Sequence, residues 1–247
     1  MSADEHLSRI ETLWSVVRRA NTPDGTRAAE AQEELLDRYG GAIRRYLHAC
    51  LRDRDAADEV FQEFSLRFVR GDFRSADPEK GRFRSFVKTI IYRLMMDHHR
   101  KAARGGGAKP LAFDPAESEG HAEGDCGDEL FLSSWRDELL AKTWTSLEEH
   151  ERTSGSAYYT ALRLRVESPE LRSAQLAERL TERLGKPMTP EAVRVLVHRA
   201  RERFAEMLIS AVAESIEDDS YDALEEELID LRLLEYCRET LQKRRKR

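Results

Sequence analysis

Basic and aromatic residues are interleaved along residues 81–101, GRFRSFVKTIIYRLMMDHHRK. Apolar residues recur there at helical spacing, which predicts one helix with an apolar stripe and a basic opposite face. Arginine and lysine could neutralise DNA phosphates, and aromatic rings could stack on unpaired bases at roughly 1–3 kcal/mol per base. The segment therefore suits melted DNA, although the same aromatic residues could be core residues beside a solvated basic face. The candidate DNA-binding residues are Lys80, Arg82, Phe83, Arg84, Phe86, Lys88, Tyr92, Arg93 and Arg100.

A second candidate DNA-binding helix covers residues 189–204, TPEAVRVLVHRARERF. Thr189 suits an N-cap and Pro190 the first helical position. The preceding predicted helix has Ser173 as its N-cap and ends at Leu184, with Gly185 as its terminator, and the two helices together predict helix-turn-helix geometry. A helix with one apolar side leaves a polar side that fits the major groove, where arginine binds guanine edges in bidentate fashion. The alternative is an amphipathic helix of a bundle. The outward residues are Arg194, Val195, His198 and Arg201, with Arg199 at the boundary.

An acidic cluster lies on a third predicted helix, within residues 55–64, DAADEVFQEF. Nucleic acid would not favour this face, but a basic protein partner would. A solvated helix face is the alternative. The cluster consists of Asp58, Glu59, Gln62 and Glu63.

No pattern in the sequence predicts catalysis or metal binding. The seven histidines form no HExxH motif and no zinc-type spacing with cysteine. His98-His99 follows Asp97, but no nucleophile, glycine-rich loop or second ligand cluster accompanies it. We therefore expect a protein that is not an enzyme and uses no metal, no cofactor and no small-molecule substrate.

The charge of the chain is segregated along its length. Charged residues make up 36% of the 247 residues, and the net charge of -6 is the sum of basic and acidic segments that partly cancel. Residues 80–104 carry eight bases and one acid, whereas residues 111–151 carry twelve acids and two bases. Residues 214–235 carry ten acids and one base, and residues 236–247 six bases and one acid. This pattern favours a protein whose basic patches bind an anionic partner.

Periodicity and turn residues predict an all-α fold of two small helical domains joined by a flexible linker, with a C-terminal helical extension. Six glycines and two prolines fall within 105–127, which is typical of a linker. The predicted helices are 7–20, 28–52 with a break at Gly40-Gly41, 54–70, 82–102, a start near 129, 155–166, 173–184, a helix from Pro190 and 221–242. The predicted domains are 1–104, a linker at 105–128, 129–213, and an acidic helix with a basic tail at 214–247.

No apolar run reaches the length of a membrane span, and the charged N-terminus lacks a signal-peptide apolar region. The three cysteines, Cys50, Cys126 and Cys237, are far apart and odd in number, which argues against a disulfide framework. We therefore expect a cytoplasmic protein with no membrane partner.

Taken in order, the three helical segments resemble the bacterial sigma-70 family of RNA polymerase sigma factors, in its small extracytoplasmic-function (ECF) type. Residues 35–73 and 81–101 resemble the second conserved sigma region, and 173–204 resembles the helix-turn-helix of the fourth. The long linker and the extension after residue 213 resemble planctomycete-type members of the family. The resemblance implies a non-catalytic initiation subunit that directs polymerase to promoters and helps to melt them.

The resemblance also implies partners for each segment. Asp58, Glu59, Gln62 and Glu63 match an acidic segment that in the family docks on the clamp helices of the polymerase β′ subunit. The fourth region implies contact with the β flap and places Arg194, Val195, His198 and Arg199 on the face that binds the −35 element. An anti-sigma factor is a further partner of many family members.

In the second region, Phe86 stands where the family usually has tryptophan beside the melted −10 element. Arg93 stands where the family often has asparagine, so the base sequence preferred at the −10 element is left open. Asp97 and Arg100 match the closing Asp-x-x-Arg of that region. The chain between Ala177 and Val193 is some six residues longer than in a compact sigma helix-turn-helix.

Two other function classes fit parts of the sequence. A helix-turn-helix transcriptional regulator would use residues 173–204 alone and would not need the basic-aromatic helix. A helical adaptor would use the segregated charge for docking to proteins, without affinity for promoter DNA.

Overall fold

The computed structural model describes residues 19, 25–70, 72, 83–104, 126–216 and 220–245. Within these ranges the regular structure is helical and contains no strand, so the predicted all-α fold class is confirmed. The helices are α1 Gly25–Leu51, α2 Arg54–Arg70, α3 Phe83–Arg104, α4 Cys126–Ser154, α5 Tyr158–Glu167, α6 Ser173–Leu184, α7 Pro190–Ala213, α8 Tyr221–Asp230 and α9 Leu234–Arg245.

The chain divides into two compact units. The first unit comprises residues 1–138 and 213–232, and the second comprises 139–212 and 233–247. The start of α4 and the segment 213–232 thus fall in the same unit as α1, α2 and α3. The predicted helix 7–20, apart from residue 19, and the predicted linker as far as residue 125 lie outside the described residues.

The first unit is organised around aromatic side chains from three helices. Tyr39 of α1 stacks on Trp135 of α4 with ring centroids 4.5 Å apart, and Phe83 of α3 meets Tyr39 edge-on at 5.8 Å. Phe131 packs edge-on against Tyr46 at 5.2 Å. Burial raises the pKa of the Tyr39 hydroxyl, because the ionised form would lose its hydration. The start of α4 therefore packs into the core of the first unit.

The expected break at Gly40-Gly41 is wrong, because α1 is continuous through both glycines. A Cβ at Gly40 would lie 3.3 Å from the ring of Phe61 on α2, and a Cβ at Gly41 would collide with the carboxylate of Glu138 on α4. The glycines therefore leave room beside α1 for the ring of Phe61 and for the carboxylate of Glu138. Close packing compensates for their weak helix propensity.

The segment 213–232 is attached to the first unit by a buried ion cluster. Arg84, near the start of α3, donates from Nε and Nη2 to the two carboxylate oxygens of Glu227, at 2.7 and 3.2 Å. Its Nη2 also donates to Asp230 at 2.7 Å. The Glu227 side chain is 1% exposed, so this charge lies in the interior together with Leu224 and Leu228 of α8. Neither Arg84 nor Glu227 could occupy this site without the other, because an unpaired buried charge is very costly.

The C-terminal region forms two helices where one helix over 221–242 is expected. Helix α8 ends at Asp230, and Arg232 adopts a positive φ of 55° before α9 begins at Leu234. Leu231 and Leu233, on either side of this turn, are fully buried. Burial of both leucines explains why the chain turns at a residue that is not glycine.

The second unit has two neighbouring apolar clusters. Leu147, Leu162 and Ala200 form one with Trp144 and Phe204, whose rings lie 4.8 Å apart. The other joins α5, α6 and the start of α7 through Leu164, Leu180 and Val193, among others. Helix α9 packs on α7, where Arg244 donates to the Ser210 hydroxyl at 3.1 Å. Burial raises the pKa of the Cys237 thiol on α9 to about 12, and neither Cys50 nor Cys237 forms a disulfide.

We expect Glu227→Leu to destabilise the first unit by about 3 kcal/mol, because Arg84 is left buried with only Asp230 as an anionic partner. The double variant Arg84→Met, Glu227→Leu should recover most of this loss, since it removes both buried charges. Urea unfolding, with hydrogen exchange at α3 and α8 amides to locate the change, measures both effects.

The matched control is Glu129→Leu, which removes an ion pair joining the same segment to α4. Arg232 donates to Glu129 at 2.7 and 2.8 Å, but both side chains are about half or more exposed. Its loss should therefore cost only about 0–1 kcal/mol. Equal losses in the free energy of unfolding for Glu129→Leu and Glu227→Leu would contradict the expectation that the buried ion pair is the costlier one to break.

Candidate protein and nucleic-acid interfaces

The acidic cluster of α2 is positioned by its N-cap and by the buried side of the helix. Asp53 Oδ1 accepts hydrogen bonds from the backbone N–H groups of Asp55 and Ala56, at 3.1 and 3.3 Å. The apolar residues of α2 face the core, so the candidate partner-binding residues lie on its other side. The Glu59 side chain is 74% exposed and that of Asp58 is half exposed.

A cleft of about 230 Å³ lies between α2 and α3. Glu59, Gln62 and Glu63 line it from α2, and Asp97, His98 and Lys101 line it from α3. His98 Nδ1 lies 3.8 Å from the Glu59 carboxylate, and Arg67 donates to Glu63 at 2.7 Å. Leu66 at the cleft and Val69 nearby on α2 are 43% and 52% exposed. The cleft and these residues together form the α2–α3 surface, which combines carboxylates with exposed apolar groups and suits a basic helical protein.

Helix α3 divides its predicted DNA-binding residues between the interior and the surface. Phe83 is 1% exposed and Arg84 is held by Glu227, so both belong to the core and not to an outer face. Phe86 and Tyr92 are half-buried, whereas Arg93 and Arg100 are exposed. Lys88 donates to Asp128 of α4 at 2.7 Å. Lys80 and Arg82 lie outside the described residues.

A tight turn joins α6 to α7, the two helices of the predicted helix-turn-helix. Gly185 ends α6 in the left-handed region, at φ 65°, and its N–H donates to the Thr181 carbonyl at 2.9 Å. The Thr181 hydroxyl accepts from the N–H of Met188 at 3.0 Å, and the Thr189 hydroxyl accepts from the N–H of Ala192 at 3.2 Å. The predicted terminator and N-cap are therefore both present. Ser173, expected as the N-cap of α6, is instead its first helical residue.

The outer side of α7 carries the residues that its spacing predicts. Val193, Val197 and Ala200 are buried, and the four predicted outward residues are exposed, as is Arg199. We call this set the recognition face: Arg194, Val195, His198, Arg199 and Arg201. Arg199, expected at the boundary, is fully on the exposed side.

Ion pairs hold parts of the recognition face against its own helix. Arg194 donates to the Glu191 carboxylate at 2.6 Å and to the Pro190 carbonyl at 3.3 Å. His198 Nε2 lies 3.6 Å from Glu202. Both contacts run along the helix, which leaves these side chains able to exchange them for a ligand.

His198, Glu202 and Glu239 have the residue types of a metal site, with one candidate ligand atom of each lying within 4.8 Å of the others. Lys243, however, pairs with both carboxylates, reaching Glu239 at 2.9 Å. Its hydrogen bond lowers the pKa of the Glu202 carboxyl. An ammonium group thus already supplies the positive charge, and the arrangement is an ion-pair network that joins α9 to α7. Sequence spacing gave no signal for this network or for the Arg84–Glu227 pair, because each joins distant parts of the chain.

Residues 35–105 match the family model for sigma-70 region 2. The match covers most of α1 and all of α2 and α3, the helices that form the α2–α3 surface. This part of the chain is similar to sigma-70 region 2. The resemblance inferred from the sequence is therefore confirmed for this region, and α4 and segment 213–232 are additions to its compact unit. No curated protein and no solved structure gave a match to the chain.

In the described part of the chain, no helix combines the length and apolar character needed to cross a membrane.

We expect Thr189→Ala to destabilise the second unit by about 1 kcal/mol, because the first turn of α7 loses its side-chain cap. Thr189→Ser keeps the hydroxyl and should leave stability within a few tenths of that of the wild type. Thermal unfolding of the two variants provides the comparison, and equal midpoints would show that the cap contributes nothing.

Proposed function

We propose that the protein is a sigma-70 family initiation factor of the ECF type, which binds core RNA polymerase and directs it to promoters. The observation that carries this proposal is the match of residues 35–105 to sigma-70 region 2, with the α2–α3 surface and the exposed cations of α3 in one compact unit. Its work is binding and positioning, and the reaction chemistry belongs to the polymerase. The site of action would be the bacterial cytoplasm, where polymerase and promoter DNA are found.

The α2–α3 surface is proposed as the polymerase-binding site, contacting the clamp helices of β′. Its carboxylates would pair with basic side chains of the partner, and exposed Leu66 and Val69 would supply apolar contact area. Electrostatic complementarity of this kind speeds association and fixes register, while the apolar contacts contribute affinity.

The exposed part of α3 is proposed to hold the melted strand of the −10 element. Phe86 and Tyr92 present partly exposed rings for stacking on bases, and Arg93 and Arg100 present cations for phosphates. Lys88 would join them by exchanging its contact with Asp128. Phe83 and Arg84 support this face from inside and are not part of it.

The recognition face of α7 is proposed to bind the −35 element in the major groove. The α6–turn–α7 geometry, with an exposed cationic face on the second helix, supports this assignment. The second unit would also contact the β flap in the assembled polymerase. An anti-sigma factor could act by covering either surface.

The test is co-purification of the full chain with bacterial core RNA polymerase, followed by run-off transcription on a genomic fragment library. Stoichiometric binding with new, discrete start sites would support the proposal and provide the promoter sequences. Duplex DNA binding without binding to core polymerase would instead indicate a helix-turn-helix regulator, and the absence of both would indicate an adaptor.

We expect the double variant Glu59→Lys, Glu63→Lys to bind core polymerase with at least tenfold lower affinity than the wild type, because it reverses the charge at two positions of the α2–α3 surface. Both side chains are partly or well exposed, so the fold should be retained. The matched control is Glu30→Lys, Glu33→Lys, which makes the same charge change at exposed positions of α1 in the same unit. Fluorescence anisotropy with labelled protein measures both affinities. Equal affinities of the two variants would remove the docking assignment.

A further inference from the structure

Val195 is an exposed apolar side chain in the middle of the recognition face. It is 51% exposed, although valine is among the residues most often buried in proteins. Its helical neighbours are polar: Glu191 lies one turn before it, and His198 and Arg199 lie one turn after it. Because Arg194 is tied back to Glu191 and Pro190, and His198 approaches Glu202, these polar groups are drawn along the helix on either side of Val195.

We propose that Val195 determines specificity by packing its methyl groups against the C5-methyl group of a thymine in the −35 duplex. The inference rests on the proposed function of the recognition face. In the major groove each base edge presents a distinct pattern, and thymine is the base that presents a methyl group. An aliphatic side chain has no donor or acceptor for guanine, cytosine or adenine edges, so its favourable contact is with thymine.

The backbone and side chain of Val195 suit such a contact. In a helix valine is nearly restricted to one χ1 rotamer, so little conformational freedom is lost on binding. The neighbouring buried residues Val193 and Val197 anchor this turn of α7 in the core of the second unit. A short, stiff side chain on an anchored turn can detect one methyl group, whereas the longer arginines beside it can adapt to several partners.

The second unit contains a matched control. Val166, on α5, is 55% exposed and is not part of the recognition face. If exposure of a valine had no bearing on DNA binding, Val195→Ala and Val166→Ala would behave alike. Both variants should fold, because each removes two methyl groups from a half-exposed position.

The experiment uses the full chain with core polymerase. Its probe is the −35 duplex of the strongest start site found by run-off transcription. Each thymine is replaced in turn by deoxyuridine, which keeps base pairing but lacks the C5-methyl group. We expect one replacement to weaken wild-type binding about fourfold, the effect of one buried methyl group. The Val195→Ala variant should bind the unmodified duplex with a similar loss of affinity relative to the wild type. The same deoxyuridine replacement should not weaken the binding of this variant further. Val166→Ala should behave as the wild type.

Three outcomes would overturn the inference. If no deoxyuridine replacement weakens DNA binding by the wild type, while Arg194→Ala does weaken DNA binding, then Val195 contacts no thymine methyl group and the proposed function stands. If the same deoxyuridine weakens the wild type and Val195→Ala equally, another residue contacts the methyl group. If no start site appears at all, the proposed function fails and the inference fails with it.

Discussion

The first unit depends on the burial of one arginine. Arg84 follows Phe83 at the start of α3, and its guanidinium reaches Glu227 and Asp230, more than 140 positions later in the chain. A buried ion pair of this kind gives little net stability, since desolvation offsets most of the attraction. Its effect is on specificity, because any packing of α8 that did not bring a carboxylate to Arg84 would leave a charge unpaired in the core. The pair therefore fixes where the C-terminal segment attaches to the part of the chain that matches sigma-70 region 2.

Charge in this protein serves two different purposes according to burial. Arg84 and Glu227 are buried and paired with each other, and Arg84 also donates to Asp230. Glu59 on α2, Arg93 on α3 and Arg199 on α7 are exposed, where their charges can act on partners through solvent. On α3 an arginine is thus either buried and structural, as at Arg84, or exposed and accessible to a partner, as at Arg93, and the angular position on the helix separates the two.

Turn chemistry positions the recognition face. A left-handed glycine ends α6, and two threonine hydroxyls satisfy backbone N–H groups that the turn would otherwise leave without partners. These bonds define where α7 begins, and the buried Val193 and Val197 define its rotation about its own axis. The outward direction of Val195 and of the arginines beside it follows from these two constraints.

The sequence by itself determined several helices, the cap of α7 and which side of α7 is apolar, because these are local properties. The bounds of α2, the end of α6 at Leu184, the cap at Thr189 and the outward residues of α7 were all predictable in this way. The sequence resemblance also indicated the match to sigma-70 region 2.

Only the tertiary structure decided which charged and aromatic residues lie inside. Phe83 and Arg84 of α3 are candidate DNA-binding residues by sequence, but both are buried, because α1, α4 and α8 supply an aromatic cluster and two carboxylates. Gly40 and Gly41 predict a break by their propensity, yet they lie within a continuous helix, next to the ring of Phe61 and the carboxylate of Glu138. In both cases the deciding partner comes from a distant part of the chain, and a local pattern holds no information about it.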